Sequence, residues 1–374
     1  MFKLAWKNLI HDRTRLLVTL VGIVFALVLI LIQFGLFLGF LDTSANVVQK
    51  SGADLWVSAP GIPHVNGGSS FKETKRFQAL SVPGVERADP YALFFVNWKL
   101  PSGATEAVQI AGFDLDGRMG GPWDLVAGSI EDLRGEDTVI IDQLYAAKLG
   151  VSSLGESVEI NGRRARIAGY TRGIRSFTTS PYVFTSFKNA QNYVPLQEDE
   201  TIFLLVKVAQ GWEVEKVRRA LEARLGSVEI FTNHEMWRKT QHYWVFSTGA
   251  GVTTLMGAVL GLIVGIVVVA QTIYAATVDH IREFGTLKAM GAANSRIYEV
   301  ILAQAGMSAV MGYSMAIVIG WFVARGSESG NAPILLPPEV AAGVLALALA
   351  MCAGASLISI RKATSIDPAM VFRG

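Results

Sequence analysis

The chain has 374 residues, 51% of them hydrophobic and only 17% charged, an apolar excess that an ordinary soluble domain does not carry. A formal net charge of +2 gives no ground for a nucleic-acid partner, and a single cysteine, Cys352, excludes an intramolecular disulfide framework. The excess is gathered into long uncharged runs, so the class is a membrane protein.

Residues 1–15 place Phe2, Trp6 and Leu9 at helical spacing with Lys3 and Lys7 between them, the pattern of a short interfacial helix. Leu16 to Leu41 then carries no charge and is long enough to cross the roughly 30 Å hydrocarbon core. A signal-peptide core would be about half as long and would end at small residues. This run ends in Phe40, Leu41 and Asp42, so 16–41 reads as a first span.

Residues 42–242 read as an α/β domain. Asp54–Ser58, Ala107–Phe113, Thr138–Asp142 and Thr201–Val208 have strand character, and Asn161-Gly162 between two β-like runs in 157–170 predicts a hairpin with a type I′ turn. Trp212–Leu225 puts Val214, Val217, Leu221 and Leu225 on one stripe of a sheet-covering helix. Phe71–Leu80 and Gln143–Leu149 are shorter helix candidates. Pro60–Ser70 is turn-rich and reads as a mobile loop without the spacing of a phosphate-binding loop. Asn233 is a candidate cap for a helix through HEMW that, with no Gly or Pro before Gly249, is expected to run unbroken into the next span as a stalk. With about 200 residues the domain can bury its own core without disulfides.

The second span with its stalk extension covers 243–278, an uncharged run of 36 residues. Within it Gly257, Gly261 and Gly265 recur at four-residue spacing, which lets helix backbones approach closely where lipid removes the hydrophobic drive. Residues 279–297 are amphipathic, with Ile281, Phe284, Leu287 and Lys288 at helical spacing and Gly291 at a C-capping place. Their apolar residues suit a groove on a cytoplasmic partner. A third span (298–324), a short loop (325–339), a fourth span (340–360) and a tail (361–374) complete the chain. Basic residues cluster before span one (Lys3, Lys7, Arg13, Arg15), between spans two and three (Arg282, Lys288, Arg296) and after span four (Arg361, Lys362, Arg373). Four spans bring all three clusters to the cytoplasmic side, with both termini inside and 42–242 outside.

No G-x-x-x-x-G-K-[ST], H-E-x-x-H, C-x-x-C or G-x-S-x-G occurs, so the sequence offers no ATPase, metal, redox or hydrolase signature and no catalytic residue. The five histidines are dispersed.

IREFGTLKAMGA in 281–292 resembles the ATPase-docking loop of MacB/FtsX-superfamily permeases, and SVPGVERADPY, VQIAGFDLD, LGESVEINGRRARIAGY and PYVFTSFKNAQNY are similar to their periplasmic core. SIDPAMVFRG looks like their tail, and GGSSF with GIRSFTTSPYVFTS looks most like DevC-type permeases. The resemblance implies a four-span membrane α fold with a large periplasmic MacB-like α/β domain, in the inner membrane. It implies a homodimer working with two copies of an ATPase subunit that binds the ATP and Mg, and, for DevC and MacB types, a membrane-fusion adaptor and a TolC-like outer-membrane channel. Ile281, Arg282, Glu283, Phe284, Leu287, Lys288, Met290 and Gly291 would then couple to the ATPase. Haem-exporting (HrtB-like), lipoprotein-releasing (LolC-like) and non-transporting (FtsX-like) permeases share the topology. Haem binding would draw on His234, Met236, His242 or Tyr243 near the membrane exit.

Overall fold

The computed structural model describes Trp6 and residues 13–178, 180–279, 293–327, 330 and 333–364. The chain runs α1 (Arg13–Ser44), α2 (Asn46–Gln49), β1 (Leu55–Ser58), β2 (Phe71–Lys72), α3 (Lys75–Leu80), β3 (Val85–Lys99), β4 (Thr105–Phe113), β5 (Leu125–Ala127), β6 (Thr138–Asp142), α4 (Gln143–Ala146), β7 (Ser157–Ile160) and β8 (Arg163–Thr171). It continues through β9 (Tyr182–Ser186), α5 (Phe187–Tyr193), β10 (Glu200–Thr201), β11 (Phe203–Val208), α6 (Val214–Leu225), β12 (Glu229–Thr232) and α7 (Asn233–His242). A π-helical turn at Tyr243–Ser247 precedes α8 (Gly249–Asp279), α9 (Asn294–Ser327) and α10 (Pro338–Thr364). Two units result. One comprises Met1–Gly39, Val252–Glu328 and Ala332–Gly374; the other is Phe40–Gly251 with Ser329–Asn331.

Among the described residues four helical segments are long and apolar enough to cross a membrane: Leu16–Ser44, Gly249–Ala275, Tyr298–Ser327 and Pro338–Leu357. Their shared core takes Ile23, Leu27 and Ile30 of α1, Val269 and Ile273 of α8, Ala305 and Ala309 of α9, and Ala348, Cys352 and Ala355 of α10. Small residues dominate on α9 and α10, as close helix packing in lipid requires.

The second unit is built on β3. Its first half, Val85 to Tyr91, pairs with β11, and its second half, Ala92 to Lys99, pairs with β4. The β11 side continues as an open antiparallel sheet, β12-β1-β11-β3. The β4 side closes on itself, because β3-β4-β9-β6-β8-β7 returns to β3 through the Trp98↔Ile160 pairing. Alternation along β1 divides the interior. Leu55 and Val57 join Val217, Leu221 and Leu225 of α6, whereas Trp56 meets Tyr91 and Phe203 edge-on at 5.7 and 5.4 Å on the opposite face.

The predicted hairpin is present as β7-β8, with Asn161 at φ 48° and Gly162 at φ 79°. Three expectations need correction. Phe71 and Lys72 form β2 against β10 instead of opening a helix, and α3 starts only at Lys75. The cap of α7 is Thr232, which forms a capping box with Glu235. Asn233 is used otherwise: its Nδ2 donates to Val48 O, Ser51 Oγ and Ala53 O at 2.9, 3.1 and 3.0 Å. Finally, the helix toward span two is interrupted. Thr248 is extended (φ −114°, ψ 151°), and its hydroxyl donates to Trp244 O at 2.6 Å while accepting the Gly251 N–H at 3.3 Å. The break is therefore a new helix cap, set directly before Gly249 and Gly251.

Asn233→Ala should destabilise the domain by about 1–3 kcal/mol, since it removes a donor from three oxygen acceptors. A lowered denaturation midpoint of the purified protein checks this; an unchanged midpoint would show these bonds to be dispensable.

Candidate functional site

Among the described residues, the predicted glycine row has an identified partner. A Cβ placed on Gly257 would meet Gln33 Oε1 at 3.4 Å, on Gly261 Gln33 Cγ at 3.2 Å, and on Gly265 Ile30 Cδ1 at 2.6 Å. The row thus lies against α1 of the same chain. α1 is notched in turn: toward α8 a Cβ on Gly22 would meet Thr272 Oγ1 at 2.7 Å, and on another side one on Gly35 would meet Ile334 Cγ2 at 2.6 Å. On α9, a Cβ on Gly312 would meet Ile23 Cγ2 at 2.5 Å. Gly39 approaches the Pro333 carbonyl too closely to accept any side chain, and the Leu335 N–H donates to Gly35 O at 3.1 Å. Span one is consequently the helix against which span two, span three and the segment 333–336 are fitted. The coupling residues Ile281, Arg282, Glu283, Phe284, Leu287, Lys288, Met290 and Gly291 lie outside the described residues.

In the second unit the stretch expected to be a mobile loop is folded in. Ile62, His64, Val65 and Asn66 are buried, and Val65–Gly67 form a 3-10 turn. Its contacts include two that reach across the domain. Asn66 Nδ2 donates to Gln109 Oε1 at 2.5 Å, and Gln109 Nε2 in turn donates to Ser176 Oγ at 2.8 Å, with the Ser180 carbonyl at 3.2 Å. The His64 ring lies on Tyr243, centroids 4.1 Å apart, and near Trp244 at 4.9 Å. Its Nδ1 accepts the Asn66 N–H at 3.2 Å, and burial pushes the imidazole down to about 4, so it is neutral at pH 7. These residues escaped the sequence reading because no periodicity links positions 64, 109, 176 and 243. One trace was that Asn66, the residue before GGSSF, is joined through Gln109 to Ser176 of GIRSFTTSPYVFTS.

The four residues considered for haem are separately engaged. His234 stacks on Trp237 at 5.4 Å, His242 packs on Phe246 at 4.9 Å, Tyr243 lies on His64, and Met236 is fully buried in the domain core.

Gly261→Leu should force span two from span one and lower the thermal stability of the detergent-solubilised protein, whereas Gly306→Leu, where a Cβ meets open space, should not. Equal melting of the two variants would make the row incidental. For His64, the folded-state value near 4 lies below the ordinary 6.5, so the unfolded chain takes up the proton first and stability is lost as pH falls from 6.5 toward 4. The Tm advantage of the wild type over His64→Gln should therefore shrink across that window; a difference independent of pH would show that the ring is not held neutral.

Comparison with known proteins places this geometry. The family model for the MacB-like periplasmic core domain matches residues 16–224, and the FtsX-like permease C-terminal model matches 255–368. An uncharacterised ABC transporter permease of Mycobacterium tuberculosis is 22% identical over 388 aligned positions, covering 99% of both chains. One from Methanocaldococcus jannaschii is 22% identical over 357, covering 87% of this chain and 84% of that one. The probable export ATP-binding/permease protein MacB of Pseudomonas entomophila is 24% identical over 401, covering 98% of this chain but 58% of that protein. With four spans, a MacB-like α/β domain after the first and both family matches in order, the chain belongs to the MacB/FtsX family of ABC-type permeases.

Proposed function

We propose that this permease serves an exporter whose ATPase is a separate subunit, and that it passes ATP-driven motion to the domain between spans one and two, which expels substrate. The observation that carries this reading is the order of the two family matches along one chain, the periplasmic core domain first and the permease region after it. The sequence itself holds no nucleotide-binding motif, so ATP and Mg would be bound by the partner. The Pseudomonas entomophila relative, whose name includes ATP-binding, extends well beyond the matched portion, in keeping with a motor that lies outside the permease. The positive-inside rule applied to the three basic clusters supports a topology with both termini and 279–297 in the cytoplasm and the large domain in the periplasm.

In this reading two permeases form a homodimer over two ATPase subunits. The segment 279–297 is the docking element, with Ile281, Phe284 and Leu287 filling a groove and Arg282, Glu283 and Lys288 setting register. The driving free energy comes from nucleotide affinity that differs between two states of the assembly. The DevC-like stretches 67–71 and 173–186 favour an assembly with an adaptor and an outer-membrane channel.

Phe284→Ala should weaken co-purification of the ATPase subunit on the order of tenfold or more, as loss of a buried aromatic anchor does, while the permease still inserts and its large domain still folds. Neutralising Lys288 should cost less. Unchanged ATPase binding and transport in Phe284→Ala would remove 279–297 from the mechanism and turn attention to the helix around Trp6.

A further inference from the structure

The loop after β8 begins at an anchor. Asp142 Oδ2 accepts the Ile174 N–H at 2.7 Å and the Thr171 hydroxyl at 2.8 Å, which fixes where the next residues emerge. Each of them then reaches a different part of the second unit. The Arg175 carbonyl accepts Asn46 Nδ2 at 2.6 Å, two residues past the end of α1. The Arg175 Nε donates to the Gly330 carbonyl at 3.2 Å, in the segment that follows α9. Ser176 accepts from Gln109, which holds Asn66. The Phe177 ring is edge-on to Phe40, centroids 5.5 Å apart, and lies 4.3 Å from Trp244 in the π-helical turn before α8.

Phe40 lies near the end of span one and Asn46 just past it, Gly330 follows span three and Trp244 precedes span two, so a five-residue loop receives all three of these connections. We infer that residues Ile174–Thr178 are the collector through which displacement of these connections reaches the buried Asn66-Gln109 network, with Phe177 as the positioning residue that ties the incoming segment to the outgoing one. This rests on the proposed reading of the permease as a transmitter of motion. A loop serving only as filler would need one neighbour; this one makes a distinct side-chain or backbone tie at each connection. Phe177 is separable from the loop's own anchorage, because the Asp142–Ile174 and Gln109–Ser176 bonds do not involve its ring.

The test is hydrogen exchange of the full-length permease in lipid nanodiscs. All variants carry Gln241→Ala, since Gln241 Nε2 also donates directly to Leu41 O at 2.8 Å and would bypass the loop. In that background Phe40→Ala should speed exchange of the Tyr243–Ser247 amides on the order of tenfold, because their common neighbour is lost on one side. With Phe177→Ala already present, adding Phe40→Ala should change the same amides by less than about twofold, since sites without a shared partner act independently. If Phe177→Ala yields no folded protein, Phe177→Leu should reduce the response partway. A Phe40→Ala effect that is absent, or equally large with and without Phe177, would overturn the inference. The measurement needs no ATPase, so its failure would strike the loop and leave the docking of 279–297 standing.

Discussion

Close approach to span one is the constraint on which the membrane unit depends. Lipid tails give helices no hydrophobic reason to associate, so contact must come from fit and from the few polar groups available. Here the fit is obtained by removing side chains on both partners. Gly257, Gly261 and Gly265 receive Gln33, Leu29 and Ile30; Gly22 receives Thr272; Gly35 and Gly39 receive 333–335. The contact at Gly35 and Gly39 goes further, since the Leu335 N–H finds its acceptor on the Gly35 carbonyl of a helix. A segment without regular structure thereby satisfies a backbone donor on the carbonyl of a helix.

The α/β domain rests on a different device. One 15-residue strand, β3, serves two sheets in succession, so the open four-stranded sheet and the closed ring share a covalent spine. Two cores follow from this, one against α6 and one running through the ring, and Tyr91 lies where β3 passes from one partner to the other. Trp98 near its far end is fully buried and donates its indole N–H to Leu149 O at 3.1 Å. A large aromatic can occupy such a place because its polar atom is satisfied.

Polar chemistry in the domain is spent on tying loops together. Asn66, Gln109 and Ser176 are all buried and each bond among them joins segments far apart in sequence, as does the bond from the Ile174 N–H to buried Asp142. Such a network is costly when incomplete, so it specifies the loop conformations more sharply than apolar packing would. Beside it, His64 is held neutral among aromatic rings, an apolar partner to the π-helical turn instead of a charged one.

Much of this was legible in the residues. Uncharged runs of more than twenty residues can be satisfied only by a bilayer, so the four spans follow from length and composition. The Asn161-Gly162 turn and the α6 stripe are local, and local rules placed them. β3 was not legible, because Ala88 to Leu93 is buried throughout and the period-two alternation that marks a strand is absent. The break at Thr248 is capped locally by its bond to Gly251, but the Trp244 ring before it is packed by rings from positions 64 and 177, which neighbouring residues do not reveal. Sequence by itself therefore determined where the chain crosses a membrane and that an α/β domain interrupts it, since these are set by residue type within short windows. Only the tertiary structure decided what the glycine row meets and that one loop gathers the connections of spans one, two and three, because those contacts join residues far apart in sequence, 235 positions between Ile30 and Gly265, and no local pattern encodes the pairing.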